Sequence, residues 1–275
     1  MKYNIVLLLV IILLILLFII FTSNINNFKE DFFDNTYNLC LLATFKNETM
    51  NLKIWIEHYL WQGVDKIYLI DNNSTDNPMP ILQPYIDRGV VDYTFNPKKH
   101  SQVGNYIELI NNKELTNITK WLIICDLDEF YYGFPKILKE TLNEFEEYDV
   151  IYSNWKMFGT CGLKKHPEDI RKSINCREPK LNVFTKMIIQ IKKININDIE
   201  IHTMKNDTNY KIKIENDKIK LNHYPIQSLE YFTKVKMTRG SACKVANDSV
   251  RDMDYFIRYD KDTNFADNEL KNVIS

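Results

Sequence analysis

The sequence predicts an α/β fold with a mainly parallel central sheet, helices on both faces, a mixed β extension and one transmembrane helix in front. Three observations predict this class. Short apolar runs alternate with amphipathic helical patterns through the first half of the chain, which is typical of βαβ units. The run Trp121–Ile124 contains no polar residue, as expected of a strand buried on both faces. Residues 5–21 form an unbroken apolar stretch of a length that just spans a bilayer.

The first 37 residues are predicted to form a cytosolic tail (1–4), a signal anchor (5–21) and a stem (22–37). No A-x-A-like cleavage site follows the apolar stretch, although a cleaved signal peptide stays open as the alternative. Lys2 precedes the stretch, and acidic residues accompany Lys29 after it, so the positive-inside rule leaves the amino terminus in the cytosol. We therefore expect a single-pass type II membrane protein with its main domain in the lumen of a secretory compartment. The N-x-[ST] sequons at Asn47, Asn73, Asn117, Asn206 and Asn247 are compatible with that location.

Charge and cysteine content exclude two classes of function. The 275 residues balance 35 basic against 36 acidic side chains, so nothing indicates a nucleic-acid-binding surface. The five cysteines are widely spaced and include no C-x-x-C pair, which argues against a zinc knuckle. Cys40 and Cys125 fall in apolar runs and are expected to be buried thiols, while Cys161 with Cys176 is the pairing we consider as a disulfide.

The predicted elements follow one another in order along the chain. In the first half, strands are expected at 39–44, 66–70, 90–95 and in the run into Asp126, with helices at 50–61, 80–88 and 101–116. Gly63 and Gly89 end the first two helices, and Ser101 can cap the third. In the second half we expect a helix at 135–145, a strand at 149–154, a loop at 164–180, β-rich segments at 184–191, 199–204, 210–214 and 218–223, and a helix at 228–237. One folded domain is placed at 38–260 and a carboxyl-terminal tail at 261–275.

Two aspartates directly follow the buried strand. Asp126 and Asp128 are spaced i, i+2, and side chains at this spacing leave a strand on the same side. They can therefore converge on one divalent cation, which usually completes its shell with substrate phosphates. The alternative is an acidic turn that caps the next helix.

Polar clusters at three predicted strand ends favour the cation hypothesis: residues 44–48, 71–76 and 126–129. Loops at the carboxyl ends of adjoining parallel strands converge on one crevice. Such a crevice can bind a base, a ribose and a diphosphate, with a metal at the aspartates bridging phosphate oxygens. Each cluster alone also fits ordinary turn or helix-capping chemistry, so the inference depends on their coincidence.

Five segments, in the right order, resemble glycosyltransferases of the GT-A fold, in the family 2-like and family 92 groups. The resemblance covers roughly residues 38 to 260; each motif alone is weak, and the five in sequence carry it. The segments are Ala43–Glu48 with Trp55–Tyr59 and Gly63 behind it, Tyr68–Asp76, Trp121–Phe130, Trp155–Gly162, and Lys220–Tyr224 followed by Ser228, Phe232, Lys236, Arg239 and Gly240.

The resemblance implies a metal-dependent hexosyltransferase that moves a sugar from a nucleoside-diphosphate sugar to a glycan or protein-linked acceptor. Mn²⁺ or Mg²⁺ would bind at Asp126, Asp128 and His223, and the imidazole favours manganese. A shared ion requires the His223 ring within about 8 Å of the Asp128 carboxylate; otherwise His223 is a structural hydrogen-bonding residue. The donor would be held by Thr44, Lys46, Asn47, Glu48, Asp71, Asn72, Ser74, Asp76 and Asp126.

Further roles follow from the same resemblance. Lys236 and Arg239 are expected to stabilise the departing nucleoside diphosphate, with a solvated helix end as the alternative. Trp155, Phe158 and Gly159 are expected on the acceptor side, although Phe158 could equally be a core aromatic. An inverting enzyme also needs a general base, and the sequence leaves this open among Glu129, Glu168, Asp169, Asp248, Asp252 and Asp254.

Two other classes of function compete with the glycosyltransferase. A phosphatase of the haloacid dehalogenase type also has an apolar strand that ends in D-x-D. That family expects Thr or Val where Phe130 stands and places the motif on its first strand, whereas three strands precede it here. The second alternative is a non-catalytic glycan-binding or scaffold protein of the same fold.

Overall fold

A nine-stranded sheet forms the centre of the computed structural model, which describes residues 36–240 and 250–274. Its strands lie in the order β3-β2-β1-β4-β8-β6-β10-β5, and β9 also pairs with β6. The bounds are β1 Tyr37–Phe45, β2 Lys66–Asp71, β3 Val91–Phe95, β4 Thr119–Ile124, β5 Glu129–Gly133, β6 Val150–Met157, β8 Thr185–Gln190, β9 Ile212–Ile214 and β10 Ile219–His223; β7 (Cys176–Arg177) pairs with β11 (Phe265–Ala266) in a second sheet.

The first four strands are parallel, and the later ones are mixed. β1 pairs in parallel with β2 and β4, and β2 pairs in parallel with β3. β8 then runs antiparallel to both β4 and β6, and β5 runs antiparallel to β10. This arrangement confirms the α/β class with a parallel half and a mixed extension.

Helices cover both faces of the parallel half because successive residues of a buried strand point to opposite sides. Leu39 and Leu41 of β1 join the core under the first two helices, whereas Cys40 and Leu42 join the core under the next two. The helices are α1 Thr49–Trp61, α2 Met79–Asp87, α3 Gln102–Asn112, α4 Leu115–Ile118, α5 Leu138–Thr141, α6 Ile170–Ser173, α7 Leu229–Lys234, α8 Met253–Asp260 and α9 Glu269–Ile274.

Local chemistry explains where several helices begin and end. Gly63 follows α1 with φ +85°, a conformation that costs glycine little. Ser228 caps α7, since its Oγ accepts the backbone N–H of Tyr231 at 3.1 Å. The helix expected at 101–116 is divided into α3 and α4 because Glu114 adopts φ +50°, outside the helical region.

Three other expected segments differ from the structure. The segment expected as a loop at 164–180 contains α6 and β7. Residues 199–204 form turns with one isolated Ile199–Met204 bridge, because the backbone N–H of Glu200 bonds to Thr203 within the segment and not to a neighbouring strand. The helix expected at 135–145 shrinks to α5 and a 3₁₀ turn at Leu142–Phe145.

The residues after 260 are integrated into the folded domain. β11 pairs with β7, and Leu270 of α9 is buried. Asp267 accepts from Lys156 at 3.0 Å and from Arg177 at 2.6 Å. The segment described above as a tail therefore contributes a buried ionic contact to the domain.

The cysteine expectations are confirmed for the four cysteines that the structure describes. Cys161 and Cys176 form a disulfide with a Cα–Cα distance of 5.4 Å. Cys40 and Cys125 are free and buried. The expected anchor at 5–21, most of the stem, Cys243 and the sequon at Asn247 lie outside the described residues. Within those residues, no helix is long and apolar enough to cross a membrane.

Candidate active site

A cavity of about 420 Å³ opens at the edge of the sheet where β1, β4, β6 and β10 end. Because β8 is antiparallel to β4 and β6, its first residues lie at this same edge. The polar lining comprises Thr44, Lys46, Glu48, Asn72, Lys99, His100, Gln102, Asp126, Asp128, His202, His223, Lys236, Arg239 and Arg251, and the aromatic lining comprises Phe45, Trp155, Phe184, Tyr255 and Tyr259.

Asp128 and His223 meet in the wall of this cavity. Nε2 of His223 lies 3.6 Å from Oδ2 of Asp128, well inside the limit that a shared ion requires. Lys236 reaches the same oxygen, with its Nζ at 2.5 Å. Burial opposes the charge on Asp128, but Lys236 and His223 outweigh it and hold the pKa of Asp128 well below its usual range. Asp128 is therefore a charged carboxylate that faces two nitrogen groups.

Asp126 has a different set of partners. Its Oδ2 accepts from Lys186 at 2.8 Å, and its Oδ1 accepts from Gln102 at 3.1 Å. Lys186 also lies 3.5 Å from Oε2 of Glu129, which accepts the backbone N–H of Asp126 at 2.7 Å. Burial opposes the charge on Lys186, but Asp126 and Glu129 raise the pKa of Lys186 well above its usual value. The first aspartate of the pair is thus neutralised by a lysine of β8.

Glu48 anchors the carboxyl-terminal block to the loop after β1. The hydroxyl of Tyr231 lies 3.0 and 2.9 Å from the two carboxylate oxygens of Glu48. Arg239 donates to Glu48 and to the backbone carbonyl oxygen of Lys46. The expected donor-binding residue Glu48 and the expected phosphate-stabilising residue Arg239 are therefore bonded to each other.

The loops after β1 and β2 are joined by direct hydrogen bonds. The backbone N–H of Asn47 donates to Ser74 Oγ at 3.0 Å, and Asn47 Oδ1 accepts the N–H of Thr75 at 2.7 Å. Asp71 accepts the N–H of Ser74 at 2.7 Å. Asn72 lines the cavity, but four other expected donor-binding residues do not: Asn47, Asp71, Ser74 and Asp76. Their observed contacts position the two loops.

The expected acceptor-side residues separate into one at the cavity and two in the core. Trp155 lines the cavity, with its ring 4.2 Å from the His223 ring. Phe158 is 1% exposed and packs on Tyr224 at 4.7 Å. A Cβ at Gly159 would lie 2.2 Å from Thr263 Oγ1. We therefore correct the acceptor-side expectation: Phe158 is a core aromatic, and Gly159 allows the segment after α8 to approach the end of β6.

None of the described carboxylates proposed as a general base lines the cavity. Glu129 is fully buried behind Asp126, and Asp169 caps α6 and bonds to Arg171. Asp252 caps α8. Glu168 and Asp254 are exposed away from the lining, and Asp248 is outside the described residues.

Several residues that line the cavity lie outside the sequence motifs described above. Lys99 and His100 follow β3, while Phe184 and His202 border β8. Lys186 does not line the cavity but bonds to Asp126; a lysine directly before the mostly apolar run 187–191 could have indicated a buried charge partner. Arg251, Tyr255 and Tyr259 also line the cavity, and they come from the segment around α8.

Asp126, Asp128 and His223 are the residues expected to bind a divalent cation. Among residues 36–240 and 250–274, no group of three or more His, Cys, Asp or Glu side chains is arranged to hold a metal ion by itself. Asp128 and His223 form a pair that faces the cavity. A cation held by such a pair would need further ligands from its substrate or from water.

A family model and two curated relatives show which family this chain resembles. The model of glycosyltransferase family 92 matches residues 35–264. A family 92 protein of Arabidopsis thaliana is 24% identical over 234 residues, and one of Ricinus communis is 24% identical over 237 residues. Each alignment covers 77% of this chain, which spans 39% of the length of each relative.

Two solved structures are similar at lower identity. S. aureus TarS 1–349 in complex with UDP has a TM-score of 0.45 at 15% identity, covering 68% of this chain and 60% of TarS 1–349. GalNAc-T7 with UDP, GalNAc and Mn²⁺ has a TM-score of 0.43 at 12% identity, covering 70% of this chain and 44% of GalNAc-T7. The family model, which matches residues 35–264, decides the assignment. The chain belongs to glycosyltransferase family 92.

Proposed function

We propose that this chain transfers a sugar from a nucleoside-diphosphate sugar to a hydroxyl group of a glycan or protein-linked acceptor, with the help of a divalent cation. The observation that carries the proposal is the approach of His223 to Asp128 at 3.6 Å in the cavity wall. These residues are ninety-five positions apart, and they meet only because β10 lies between β6 and β5.

The donor set of the cavity fits a divalent cation such as Mn²⁺ or Mg²⁺. A carboxylate oxygen and an imidazole nitrogen face one another, and this mixed pair suits manganese better than magnesium. Both side chains are mostly buried, with 8% and 10% exposed, so their positions are fixed before a ligand arrives. Asp126, already bonded to Lys186 and Gln102, would take a secondary part. When bound, the ion would supply a Lewis acid for the departing diphosphate.

Basic side chains of the lining favour an anionic donor. The lining carries five lysine or arginine side chains against three carboxylates, namely Lys46, Lys99, Lys236, Arg239 and Arg251 against Glu48, Asp126 and Asp128. Glu48 and Asp128 are each paired with one of these cations, which leaves a net positive cavity. Fixed positive groups stabilise charge that develops on a leaving phosphate.

The position of Lys236 suggests how it would act. Its Nζ contacts Asp128, and burial lowers the pKa of Lys236 from its usual value despite that contact. Its ammonium could turn from the Asp128 carboxylate to a phosphate oxygen, and it would then exchange one anionic partner for another. Arg239 is held by Glu48 and by the Lys46 carbonyl, so its guanidinium is oriented before a donor binds.

The proposal is tested by calorimetry with Mn²⁺ and UDP as probes, and by hydrolysis of a panel of nucleotide sugars. Asp128→Asn should abolish Mn²⁺-dependent turnover, and His223→Ala should raise the Kd for Mn²⁺ by about tenfold or more. The double variant should be no worse than Asp128→Asn, since residues that share a ligand act non-additively. Asp217→Asn, an exposed change outside the cavity, is the control. Turnover that persists in EDTA would refute the requirement for a metal. An unchanged Mn²⁺ affinity in His223→Ala would refute the role of His223 as a metal ligand.

We also propose that the domain works in the lumen of a secretory compartment, attached through the apolar stretch at 5–21. The Cys161–Cys176 disulfide supports this, because disulfides persist in oxidising compartments. Glycosidase treatment of the protein from cells should lower its apparent mass if the sequons are used. Sequencing of the mature amino terminus should find Met1 or Lys2; a start near residue 24 would indicate secretion.

A further inference from the structure

Three aromatic rings stand together at one end of the cavity. The ring centroids of Trp155 and Phe184 are 5.6 Å apart, those of Trp155 and His202 are 5.2 Å apart, and those of Phe184 and His202 are 5.8 Å apart. All three residues line the cavity. We call Trp155, Phe184 and His202 the aromatic wall.

Backbone pairing holds the aromatic wall in place. In the antiparallel pairing of β6 and β8, Asn154 lies opposite Thr185. Just beyond this pair, the backbone N–H of Trp155 donates to the carbonyl oxygen of Phe184 at 3.1 Å. His202 is tied to the same strand, since its Nδ1 lies 3.2 Å from the Thr185 carbonyl oxygen. The Phe184 side chain is nevertheless 54% exposed, so a fixed backbone presents an open aromatic ring.

The order of strands places the aromatic wall on one side of the acidic pair. Thr44 and Asn72, at the ends of β1 and β2, lie on the other side of β4. Asp126 and Asp128 follow β4, and the wall stands on β8 and β6 beyond them. If the nucleotide sugar binds at the loops after β1 and β2, the aromatic wall lies on the side of the cavity that is left for the acceptor.

The chain segment that leads into Phe184 exposes several apolar side chains. Among residues 36–240 and 250–274, ten large hydrophobic side chains are exposed, and three of these fall within Leu181–Phe184. Leu181 is 41% exposed and Val183 is 85% exposed. Of the three, Phe184 lines the cavity, and an exposed apolar ring in a cavity that also carries polar groups is typical of a binding site.

We propose that the aromatic wall binds one sugar ring of a glycan acceptor, with Phe184 stacked on the C–H face of that ring. The inference rests on the proposed function, because it takes the Asp128 region as the reaction centre. A pyranose has an apolar face and a rim of hydroxyl groups, and a half-exposed aromatic ring beside polar side chains fits both. Trp155 touches the His223 ring, so a sugar on the wall is next to the proposed cation ligands.

The test uses the full chain and a printed array of several hundred glycans. The wild type should bind a subset of the glycans, and the strongest-binding glycan is then titrated in solution. Phe184→Ala should weaken that affinity about tenfold through loss of the stacked ring, whereas Phe184→Tyr should stay within about twofold. Phe95→Ala removes a phenyl ring of the same 54% exposure from outside the cavity and should leave the affinity unchanged.

The proposal would be overturned by a wild type that binds no glycan, or by a Phe184→Ala variant that binds as well as the wild type. Sedimentation with phosphatidylcholine vesicles that depends on Phe184, without glycan binding, would assign the aromatic wall to a lipid and also overturn it. Hydrolysis of the nucleotide sugar in the absence of an acceptor distinguishes the proposed function from the proposed role of the aromatic wall. If the protein hydrolyses a nucleotide sugar but Phe184→Ala does not change glycan binding, only the role of the aromatic wall is refuted. If glycan binding depends on Phe184 but no nucleotide sugar is hydrolysed, only the proposed function is refuted.

Discussion

Lys186→Met is the change that best tests the electrostatic design of the site. The Lys186 side chain is fully buried, with its Nζ 2.8 Å from Asp126 Oδ2 and 3.5 Å from Glu129 Oε2. Methionine keeps the length of the side chain and removes its charge. Removal of one partner from a buried ion pair costs about 3–5 kcal/mol, because the other charge stays buried without compensation.

Two features of the structure place the expected cost near the lower limit of that range. Asp126 is 34% exposed, so water can replace part of the lost contact. Burial raises the pKa of Glu129 well above its usual value, so Glu129 can take up a proton once the lysine is gone. We therefore expect a loss of about 3 kcal/mol in the free energy of unfolding. For a domain of this size that corresponds to a fall in Tm of about 6–12 °C.

Urea unfolding followed by circular dichroism measures this loss. Lys211→Met is the matched control, because Lys211 and Glu147 form an ion pair in which both side chains are more than half exposed; its expected cost is about 0–1 kcal/mol. Addition of Glu129→Gln to Lys186→Met should restore part of the stability, since no uncompensated charge then remains behind Asp126. If Lys186→Met were no less stable than Lys211→Met, the idea that Lys186 neutralises this cluster would be wrong.

Three further changes test other contacts. Tyr231→Phe should lower the free energy of unfolding by about 1–3 kcal/mol in urea titrations, because buried Glu48 loses the hydroxyl that donates to it; an effect below that of an exposed Tyr→Phe change would contradict this. Lys234 and the His166 N–H lower the pKa of Glu230 from 4.5 to about 2, so this carboxylate stabilises the fold above pH 4.5. The Tm difference between wild type and Glu230→Gln should therefore close between pH 4.5 and 2, and a constant difference would argue against it. Replacement of Cys161 and Cys176 by alanine opens a loop with a sequence separation of 15 and should cost about 3 kcal/mol; a dithiothreitol-insensitive Tm in the wild type would speak against a stabilising disulfide.

The first half of the fold could be predicted because local and tertiary preferences agree there. The strand into Asp126 is apolar throughout, and in the structure Trp121–Ile124 is buried in the middle of the sheet. The helix α1 carries Leu52, Trp55 and Tyr59 on its buried face at helical spacing. The carboxyl ends of these parallel strands define the edge of the sheet, so the positions of Thr44 and Asp126 at the cavity followed from topology.

The acceptor side was less predictable because side-chain direction there depends on register. Trp155 and Met157, two residues apart on β6, both line the cavity. Lys156 between them faces away and bonds to Asp267, a residue 111 positions later in the chain. Phe158 lies beyond the strand and packs on Tyr224. A motif shows which residues belong together, but only the pairing of β6 with its neighbours decides which of them reach a ligand.

The reversal of β8 accounts for the parts of the site that the sequence analysis did not find. In a fully parallel sheet the residues before a strand lie at the edge opposite to the ligand site. β8 is antiparallel, and Met187 pairs with Ile124, so Lys186 is carried to the level of Cys125 and Asp126. Phe184, two residues earlier, then reaches the mouth of the cavity beside Trp155. One reversed strand thus supplies both the cation that neutralises Asp126 and the exposed ring proposed to bind the acceptor, and strand direction is not encoded in apolar periodicity.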